Sequence, residues 1–407
     1  MAVKDGGYAW VILTATFFIQ VFIDGIITSF GVLLEDLVDE GEEIGNLSWI
    51  GSLSLGSVGL FSPITSVILT KFNFRVTFFL GSLLAAAGCF LSYFVSQDIQ
   101  LALTFGLITG IGCSFMDTGC SLILYEYFDR KFGLATGIKT SGTGLGELVL
   151  IPIVKLLQIH YTWRGSMLIL AGLFLQCSVL ATLIVPNKKL IIKRYNSSSD
   201  KNKPQIKEHL RNLKRVTTNY EYLLYLSSFS IFTIFGATFF VYIGLLGLYL
   251  GYTEMETTYL FSICGGFNII GEIFSGWFVE LKLMGHYNFM FLMSCGVSIS
   301  VLAVPFCSYL TGSLVISGLF GFAYSFVDSL AEYISRDIFE DDDILYCVSI
   351  GVINLFKGLS NVFGAPLIGL LIDQLNMTIG YQISGYFCLL GGFLIFILIF
   401  LRIRLNK

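Results

Sequence analysis

The chain contains twelve stretches that are long and apolar enough to cross a lipid bilayer. A helix needs about 20 apolar residues to span the hydrocarbon core, where helices and closed barrels alone satisfy their own backbone hydrogen bonds. Of the 407 residues, 55% are hydrophobic and only 13% are charged. We therefore predict an all-α membrane protein. The predicted spans are residues 8–34, 48–69, 76–96, 100–126, 132–157, 163–185, 221–250, 256–280, 286–308, 312–336, 344–372 and 379–401.

One long polar segment, residues 186–219, separates the first six spans from the last six. It carries ten Lys and Arg residues, and most other basic residues between spans fall on its side of the membrane, opposite the acidic loop 35–43. Because cytosolic loops are enriched in Lys and Arg, we predict that both termini are cytosolic. The predicted domains are an N-terminal six-helix bundle at 1–185, a solvated cytosolic basic linker at 186–219 and a C-terminal six-helix bundle at 220–407.

An internal repeat supports the division into six plus six spans. GLGELVLIPIVKLL, which starts at Gly144, aligns with GLSNVFGAPLIGLL, which starts at Gly358, with Gly, Leu and Pro in register. The fifth and eleventh spans are therefore predicted to be counterparts in a duplicated six-helix unit. Parallel repeats of this kind resemble those of major facilitator transporters, whose solute site lies between the halves near the middle of the membrane.

Two motifs in the first half of the chain carry a family resemblance. DGGYAW leads into the first span, and YFDRKFGLATGIKTSGTGLG joins the fourth span to the fifth. The chain resembles the monocarboxylate transporter family over essentially its whole length. The resemblance implies a major facilitator fold and the carriage of a small organic solute, often a monocarboxylate moved with a proton. The motif residues are Asp5, Gly6, Gly7, Trp10, Tyr127, Phe128, Arg130, Gly137, Gly142 and Gly146.

The glycines of these motifs also have a direct physical interpretation. Gly6 and Gly7 are predicted to permit a tight approach to the first helix. Gly137, Gly142 and Gly146 belong to a small-xxx-small pattern, which lets helices touch backbone to backbone. Packing alone would explain this pattern, and a sliding contact during alternating access is the functional alternative.

The charges inside the spans depart from what the resemblance implies. Typical members have a Lys in span one and an Asp and an Arg one turn apart in span eight, and the aligned residues here are Thr28, Asn268 and Glu272. Asp24 lies four residues before Thr28 and hence on the same helix face. Lys, Asp and Arg sum to +1, whereas Asp24 and Glu272 sum to −2. This change disfavours a bare carboxylate by about a few kcal/mol at intermediate dielectric.

Several interpretations of Asp24 are open. Lys139 or Lys357 could replace the missing cation and so allow a carboxylate to bind. Alternatively, the substrate carries an amine that pairs with Asp24 or Glu272, which we favour. Asp24 could also be the proton carrier, because ionisable groups within spans often serve proton relays. A permanent bond to a neighbouring Lys or hydroxyl is the structural alternative.

Four further acidic residues are interpreted as gating or structural ion pairs: Asp117, Glu147, Asp328 and Glu332. Asp328 and Glu332 are four residues apart on one helix face and repel each other if both are ionised. A cation near them, with Lys357 as the candidate, or a proton on one of them would remove this repulsion. For Glu147, a static pairing with a nearby Lys such as Lys139 or Lys155 is the alternative to a role in the cavity.

Other classes of function are disfavoured by the sequence. A net charge of −4 and a pI near 5.5 argue against nucleic-acid binding. We find no His, Cys and Asp cluster with metal-ligand spacing and no phosphate-binding loop, so we expect no metal, no cofactor and no enzyme activity. We predict a plasma-membrane carrier whose partners are a small-molecule substrate, H⁺ and the bilayer. The resemblance also allows a single-span immunoglobulin-type chaperone. The alternative is a non-transporting sensor or scaffold on the same fold.

Overall fold

The protein is helical throughout the residues that its computed structural model describes, which are 4–30, 44–185, 205–281, 284–307, 309–339 and 342–405. Within these ranges the structure has α-, π- and 3₁₀-helices and no strand. The predicted all-α fold class is confirmed. The acidic loop 35–43 and the first part of the predicted linker, 186–204, lie outside the described residues.

The first of two compact units takes in Met1–Val216 together with Asp341–Gly358. A π-helical stretch at Ala102–Thr109 joins α5 to α6 in this unit. Its helices are α1 (Gly7–Thr28), α2 (Ile44–Leu60), α3 (Ser62–Lys71), α4 (Phe74–Ser92), α5 (Asp98–Leu101), α6 (Gly110–Tyr127), α7 (Phe132–Leu183) and α8 (Gln205–Thr218).

The second unit takes in Thr217–Glu340 together with Leu359–Lys407. A π-helical stretch at Phe232–Gly236 joins α9 to α10, and a 3₁₀ turn at Val304–Phe306 follows α12. The helices are α9 (Tyr220–Ile231), α10 (Ala237–Tyr249), α11 (Glu254–Leu281), α12 (His286–Ala303), α13 (Leu310–Ile338), α14 (Asp343–Gln374), which begins in the first unit, and α15 (Met377–Leu405).

The membrane spans follow the apolar pattern of the sequence. Ten helical segments of the described chain are long and apolar enough to cross a bilayer. The longest, α7, is broken at Thr162, whose backbone at φ 61° and ψ 172° is not helical, and so covers predicted spans five and six. Helices α9 and α10 cover predicted span seven. The twelve predicted spans are thereby accounted for.

The two prolines of the internal repeat lie inside long helices. Pro152 is within α7 and Pro366 within α14, the helices that cover predicted spans five and eleven. Proline inside a helix removes one backbone hydrogen bond and bends the helix. The duplication of a six-helix unit stays a prediction.

The second part of the predicted linker is not simply a solvated chain. Residues Gln205–Thr218 form α8, in which Asn212 and Val216 are buried. Val216 is 0% exposed. A solvated linker would keep an apolar side chain and an amide of this size accessible, so the end of the linker packs as part of the first unit.

A polar network ties four helix ends together in the second unit. Arg402 near the end of α15 donates from Nη1 to Asp337 Oδ2 at 2.6 Å, and its Nη2 lies 2.8 Å from Glu221 Oε2 at the start of α9. The hydroxyl of Tyr287 donates to Asp337 Oδ2 at 2.8 Å, and His286 Nε2 lies 3.3 Å from the same oxygen. Two helix starts and two helix ends are therefore held at one face of this unit.

Candidate functional site

A close contact between α1 and α7 brings the first group of polar residues together. A Cβ atom on Gly25 would stand 2.7 Å from the carbonyl oxygen of Gly146. A Cβ atom on Gly146 would stand 3.0 Å from the Gly25 nitrogen and closer still to the Val21 carbonyl oxygen. Glycine at both positions lets the two backbones meet. Asp24 precedes Gly25 and Glu147 follows Gly146, so both carboxylates flank this contact.

The motif glycines differ in what they do. A Cβ atom on Gly142 would stand 2.7 Å from the carbonyl oxygen of Phe17, so Gly142 extends the contact between α1 and α7. The packing interpretation fits Gly142 and Gly146. The prediction of a tight approach is wrong at Gly7, because no heavy atom lies within 4 Å of where its Cβ atom would stand. Gly7 lies in the exposed first turn of α1.

Asp24 is held by hydrogen bonds from both sides of this contact. The hydroxyl of Thr143 donates to Asp24 Oδ2 at 2.5 Å, and Gln20 Nε2 donates to the same oxygen at 2.7 Å. Asp24 Oδ1 accepts no hydrogen bond from the described residues. Gln20 is 6% exposed, and its Oε1 is also without a hydrogen-bond donor in the described structure. We call Asp24, Gln20 and Thr143 the Asp24 group. Within it, Asp24 Oδ1 and Gln20 Oε1 are acceptors that receive no hydrogen bond from the described residues.

Lys139 belongs to a different pair. Its Nζ donates to Ser121 Oγ at 2.9 Å and lies 3.8 Å from Asp117 Oδ1. Ser121 and Asp117 both lie on α6, four residues apart and hence on one face. Lys139 is 3% exposed. A lysine so buried and already bonded is poorly placed to receive a carboxylate from solvent.

Three further charged residues of the first unit are within electrostatic range of Asp24, namely Asp117, Lys357 and Glu147. Lys357, on the part of α14 that belongs to this unit, is half-buried and within electrostatic range of Asp24. Glu147 is also within electrostatic range of Asp24. Thr28 does not add a donor to this group, because its hydroxyl donates to the backbone carbonyl of Asp24 at 2.6 Å. Lys357 therefore contributes a positive charge within electrostatic range of Asp24.

The remaining predicted site residues lie in the second unit. Asn268 and Glu272 are on α11, one turn apart, and Glu272 is 2% exposed. The Ser275 hydroxyl donates to the Glu272 carbonyl at 2.8 Å. Asp328 and Glu332 are half-buried on α13. The roles of these four residues in binding or gating stay predictions.

The two sequence motifs meet in what we call the Asp5 clasp, formed by the Asp5 carboxylate and the backbone N–H groups of residues 129–131. Asp129 and Lys131 donate to Oδ1 at 3.1 and 3.2 Å, and Arg130 donates to Oδ2 at 3.1 Å. Partial burial raises the pKa of Asp5, but the three backbone hydrogen bonds and the charge of Lys131 outweigh it, so that the pKa lies below its ordinary value. The clasp ties the start of α1 to the turn before α7.

Aromatic contacts extend the Asp5 clasp. The Trp10 ring packs edge-on against Phe128 with centroids 5.7 Å apart, and Lys131 Nζ lies 5.4 Å from the Trp10 ring centroid. The hydroxyl of Tyr8 donates to the carbonyl of Leu183, at the end of α7, at 2.7 Å. The motif residues thus hold three segments of the first unit at one end.

Sequence reasoning missed several partners. Gln20 lies four residues before Asp24 and Ser121 four residues after Asp117, so the helical period could have indicated both. Thr143 meets Asp24 only through the packing of α1 on α7. The polar network of the second unit carried no local motif.

Replacing Lys139 by methionine should lower the free energy of unfolding, because Asp117 then loses its cation. Breaking a buried ion pair costs about 3–5 kcal/mol, and the residual exposure of Asp117 places the expectation at the lower end. Thermal unfolding of the purified chain in detergent measures the loss. Lys139→Met with Asp117→Asn should recover part of it, and a double variant no more stable than Lys139→Met would contradict the pairing.

Comparisons with known proteins give the following matches. The family model described as Major Facilitator Superfamily matches residues 10–342. Monocarboxylate transporter 13 of Bos taurus is 25% identical over 393 residues, 95% of this chain and 88% of that protein. Monocarboxylate transporter 12 of Xenopus laevis is 26% identical over 400 residues, 94% of this chain and 86% of that protein. Monocarboxylate transporter 4 of Mus musculus is 27% identical over 374 residues, 91% of this chain and 78% of that protein.

Solved structures include a matching fold. The structure of a major facilitator superfamily proton:xylose symporter, bound to 6-bromo-6-deoxy-D-glucose, superposes with a TM-score of 0.71. The match covers 96% of this chain and 95% of that chain at 12% sequence identity. At this identity the likeness concerns the fold alone.

Proposed function

We propose, on the premise that the chain belongs to the Major Facilitator Superfamily, that it moves a small organic solute across a membrane by alternating access. The chain is a multi-pass membrane protein whose relatives are transporters rather than enzymes. Its matches fit a divergent member of the monocarboxylate transporter family. In this proposal the carrier resides in the plasma membrane with both termini in the cytosol. A single-span chaperone is an optional partner.

The Asp24 group carries this proposal. A carboxylate within a span is energetically costly, so it is rare where it has no function. Here Gln20 and Thr143 donate to one oxygen of Asp24, and the other oxygen accepts no hydrogen bond from the described residues. A side chain that is fixed in orientation and keeps one acceptor available is suited to bind a ligand. The relatives' names make monocarboxylates one candidate class of substrate. The negative charge of Asp24 and Glu147 favours relatives of monocarboxylates that also carry an amine.

A proton accompanies the solute in this proposal. Asp24 and Glu147 lie within electrostatic range of each other, and two ionised carboxylates away from bulk water repel. A proton on one of them removes the repulsion, and the same proton can be released when the site opens to the other side. The proton would then be taken up and released with each cycle, as in a symporter.

Asp24→Asn tests the proposed site. The amide keeps the size and the acceptor oxygen of Asp24 but lacks the charge and the exchangeable proton. We expect uptake of the substrate to fall by about tenfold or more, equal to at least about 1.4 kcal/mol. Uptake into cells is measured at outside pH of about 6 and about 7.4, over lactate, pyruvate, amino acids and simple amines, because the acidic condition reveals proton coupling.

The control is His160→Gln, which changes an exposed residue outside the Asp24 group. Equal amounts of each variant at the membrane must be established first. Substrate uptake that is unchanged in Asp24→Asn at both pH values would contradict the proposed role. A wild-type chain that reaches the surface and takes up no tested solute would favour the sensor or scaffold alternative.

A further inference from the structure

The linker helix α8 carries a concentrated positive charge. Its residues Gln205–Thr218 include four Lys and Arg residues and one Glu, a net charge of +3, whereas the whole chain carries −4. The basic side chains of Arg211, Lys214 and Arg215 are exposed. A concentrated basic surface on an acidic protein attracts an anionic partner.

The side chains of α8 differ from one face of the helix to the next. Asn212 and Val216, one turn apart, are buried. Because an α-helix has about 3.6 residues per turn, Leu213 lies between Val216 and Lys214 around the helix, and Arg211 lies beyond Lys214. Leu213 is 38% exposed. The exposed surface therefore has an apolar border beside the buried face and a basic face beyond it, as in helices that lie in a membrane interface.

An ion pair places α8 where a helix enters the membrane. Arg215 Nη1 lies 3.6 Å from Asp342 Oδ2, and both residues belong to the first unit. Asp342 Oδ1 accepts hydrogen bonds from the backbone N–H groups of Ile344 and Leu345 at 3.1 and 3.2 Å, which caps the start of α14. Helix α14 is long and apolar enough to cross a bilayer. The last turn of α8 therefore lies beside the start of a span, at the level of the lipid headgroups.

The chemistry of this surface fits anionic phospholipids. Arg and Lys form charge-assisted hydrogen bonds with phosphate oxygens. Each basic residue near a negatively charged membrane surface adds about fivefold in affinity. Leu213 gains from contact with acyl chains, whereas a dissolved anion offers it no apolar surface. A lipid therefore satisfies both the basic face and its apolar border.

We propose that α8 is a docking surface for anionic phospholipids of the leaflet on its side of the membrane. The phosphate groups bind Arg211 and Lys214, and Leu213 contacts the adjoining part of the acyl chains. Arg215 holds α8 in place through Asp342. This inference goes beyond the proposed function and concerns residues outside the Asp24 group, so its test needs no transported solute.

Hydrogen–deuterium exchange of the purified full-length chain in lipid nanodiscs tests the docking surface. One set of discs contains phosphatidylcholine alone, and in the other set phosphatidylserine replaces part of it. We expect phosphatidylserine to slow the exchange of the α8 amides by about tenfold, because a bound lipid stabilises the docked helix. Added NaCl should weaken this protection, because salt screens exposed charges.

Paired substitutions assign the protection to the basic face. Arg211→Gln with Lys214→Gln should remove most of the protection by phosphatidylserine. Arg211→Lys with Lys214→Arg keeps both charges and should retain it. The matched control is Arg130→Gln with Arg404→Gln, which removes the same charge from exposed side chains outside α8 and should leave the protection of α8 unchanged. Equal melting temperatures of all variants in phosphatidylcholine discs establish that they are folded.

Three outcomes would overturn the proposal. Equal exchange of α8 in the two kinds of disc would do so and would leave an acidic soluble protein as the alternative partner of the basic face. Protection that survives in Arg211→Gln with Lys214→Gln would place the bound lipid elsewhere. Loss of protection in the control as large as in the α8 variant would mean that the effect follows the total charge of the chain.

Discussion

Gly146→Ala is expected to abolish most transport and to destabilise the first unit. The added Cβ atom would stand 3.0 Å from the Gly25 nitrogen and closer to the Val21 carbonyl oxygen. These are backbone atoms, so no side chain can rotate away, and α1 and α7 have to separate. Overpacking of this kind costs about 1–3 kcal/mol and occasionally more. The separation also displaces Asp24 from Thr143, which donates to it at 2.5 Å.

The matched control is Gly172→Ala on the same helix. No heavy atom lies within 4 Å of where a Cβ atom on Gly172 would stand. Alanine is favoured over glycine inside a helix by about 1 kcal/mol, so this variant should be as stable as the wild type or slightly more stable. Thermal unfolding in detergent and uptake of the identified substrate are compared for both variants. Gly146→Ala that matches Gly172→Ala in both measurements would show that the contact between α1 and α7 tolerates a methyl group.

The spans could be predicted from the sequence because the bilayer imposes a local signal. Each span needs a minimum apolar length, which a single stretch of chain reveals without knowledge of its neighbours. The break in α7 at Thr162 falls between predicted spans five and six. The two π-helical stretches, at Ala102–Thr109 and Phe232–Gly236, had no such signal. A widened helical turn depends on tertiary packing that the local composition does not reveal.

The candidate site was only partly predictable for the same reason. Asp24 stood out as an isolated carboxylate in an apolar span. Its bond from Thr143 depends on the register between two helices whose bonded residues are 119 positions apart. Lys139 was a candidate substrate cation, but its partners Ser121 and Asp117 became visible only when α6 packed beside α7. Pairing across helices is therefore the information that the sequence lacks.

The contacts of the first motif, DGGYAW, were also only partly predictable from the sequence. Its glycines predicted a tight approach, which is wrong at Gly7, whereas the contact that the motif makes runs through the Asp5 carboxylate. Carboxylate side chains often bind backbone N–H groups within their own turn. Asp5 instead binds N–H groups about 125 residues away, which no local pattern indicates.

Asp5→Ala is expected to loosen one end of the first unit. Three backbone N–H groups, of Asp129, Arg130 and Lys131, lose their shared acceptor. Loss of a side-chain cap costs about 0.5–2 kcal/mol, and three donors to one charged group place the expectation at the upper end. Asp5 also has φ 58°, a left-handed conformation that Asn tolerates better than Ala. We therefore expect the wild type to be the most stable, Asp5→Asn to be less stable and Asp5→Ala to be the least stable.

Asp129→Asn is the matched control for Asp5→Asn. The Asp129 carboxylate lies 3.8 Å from Lys4 Nζ, and both side chains are about half exposed. Exposed ion pairs contribute about 0–1 kcal/mol, so removing this charge should change the melting temperature little. Limited proteolysis of the turn at residues 128–131 gives a local readout beside thermal unfolding. Equal damage from Asp129→Asn and Asp5→Asn would mean that a general loss of negative charge, rather than the Asp5 clasp, explains the effect.

The pH dependence of the Asp5 clasp distinguishes it from the Asp24 group. Because the pKa of Asp5 lies below the ordinary value of 3.8, the clasp contributes its full stability above that pH and loses it only as the pH falls through the lowered pKa. The clasp is therefore constant between about pH 6 and about pH 7.4, where the uptake assay operates. Asp5→Asn should lower uptake by the same factor at both pH values, whereas Asp24→Asn should remove the acid stimulation itself. Acid stimulation that disappears in Asp5→Asn would contradict this separation, because a carboxylate that stays ionised over the whole range cannot sense the change.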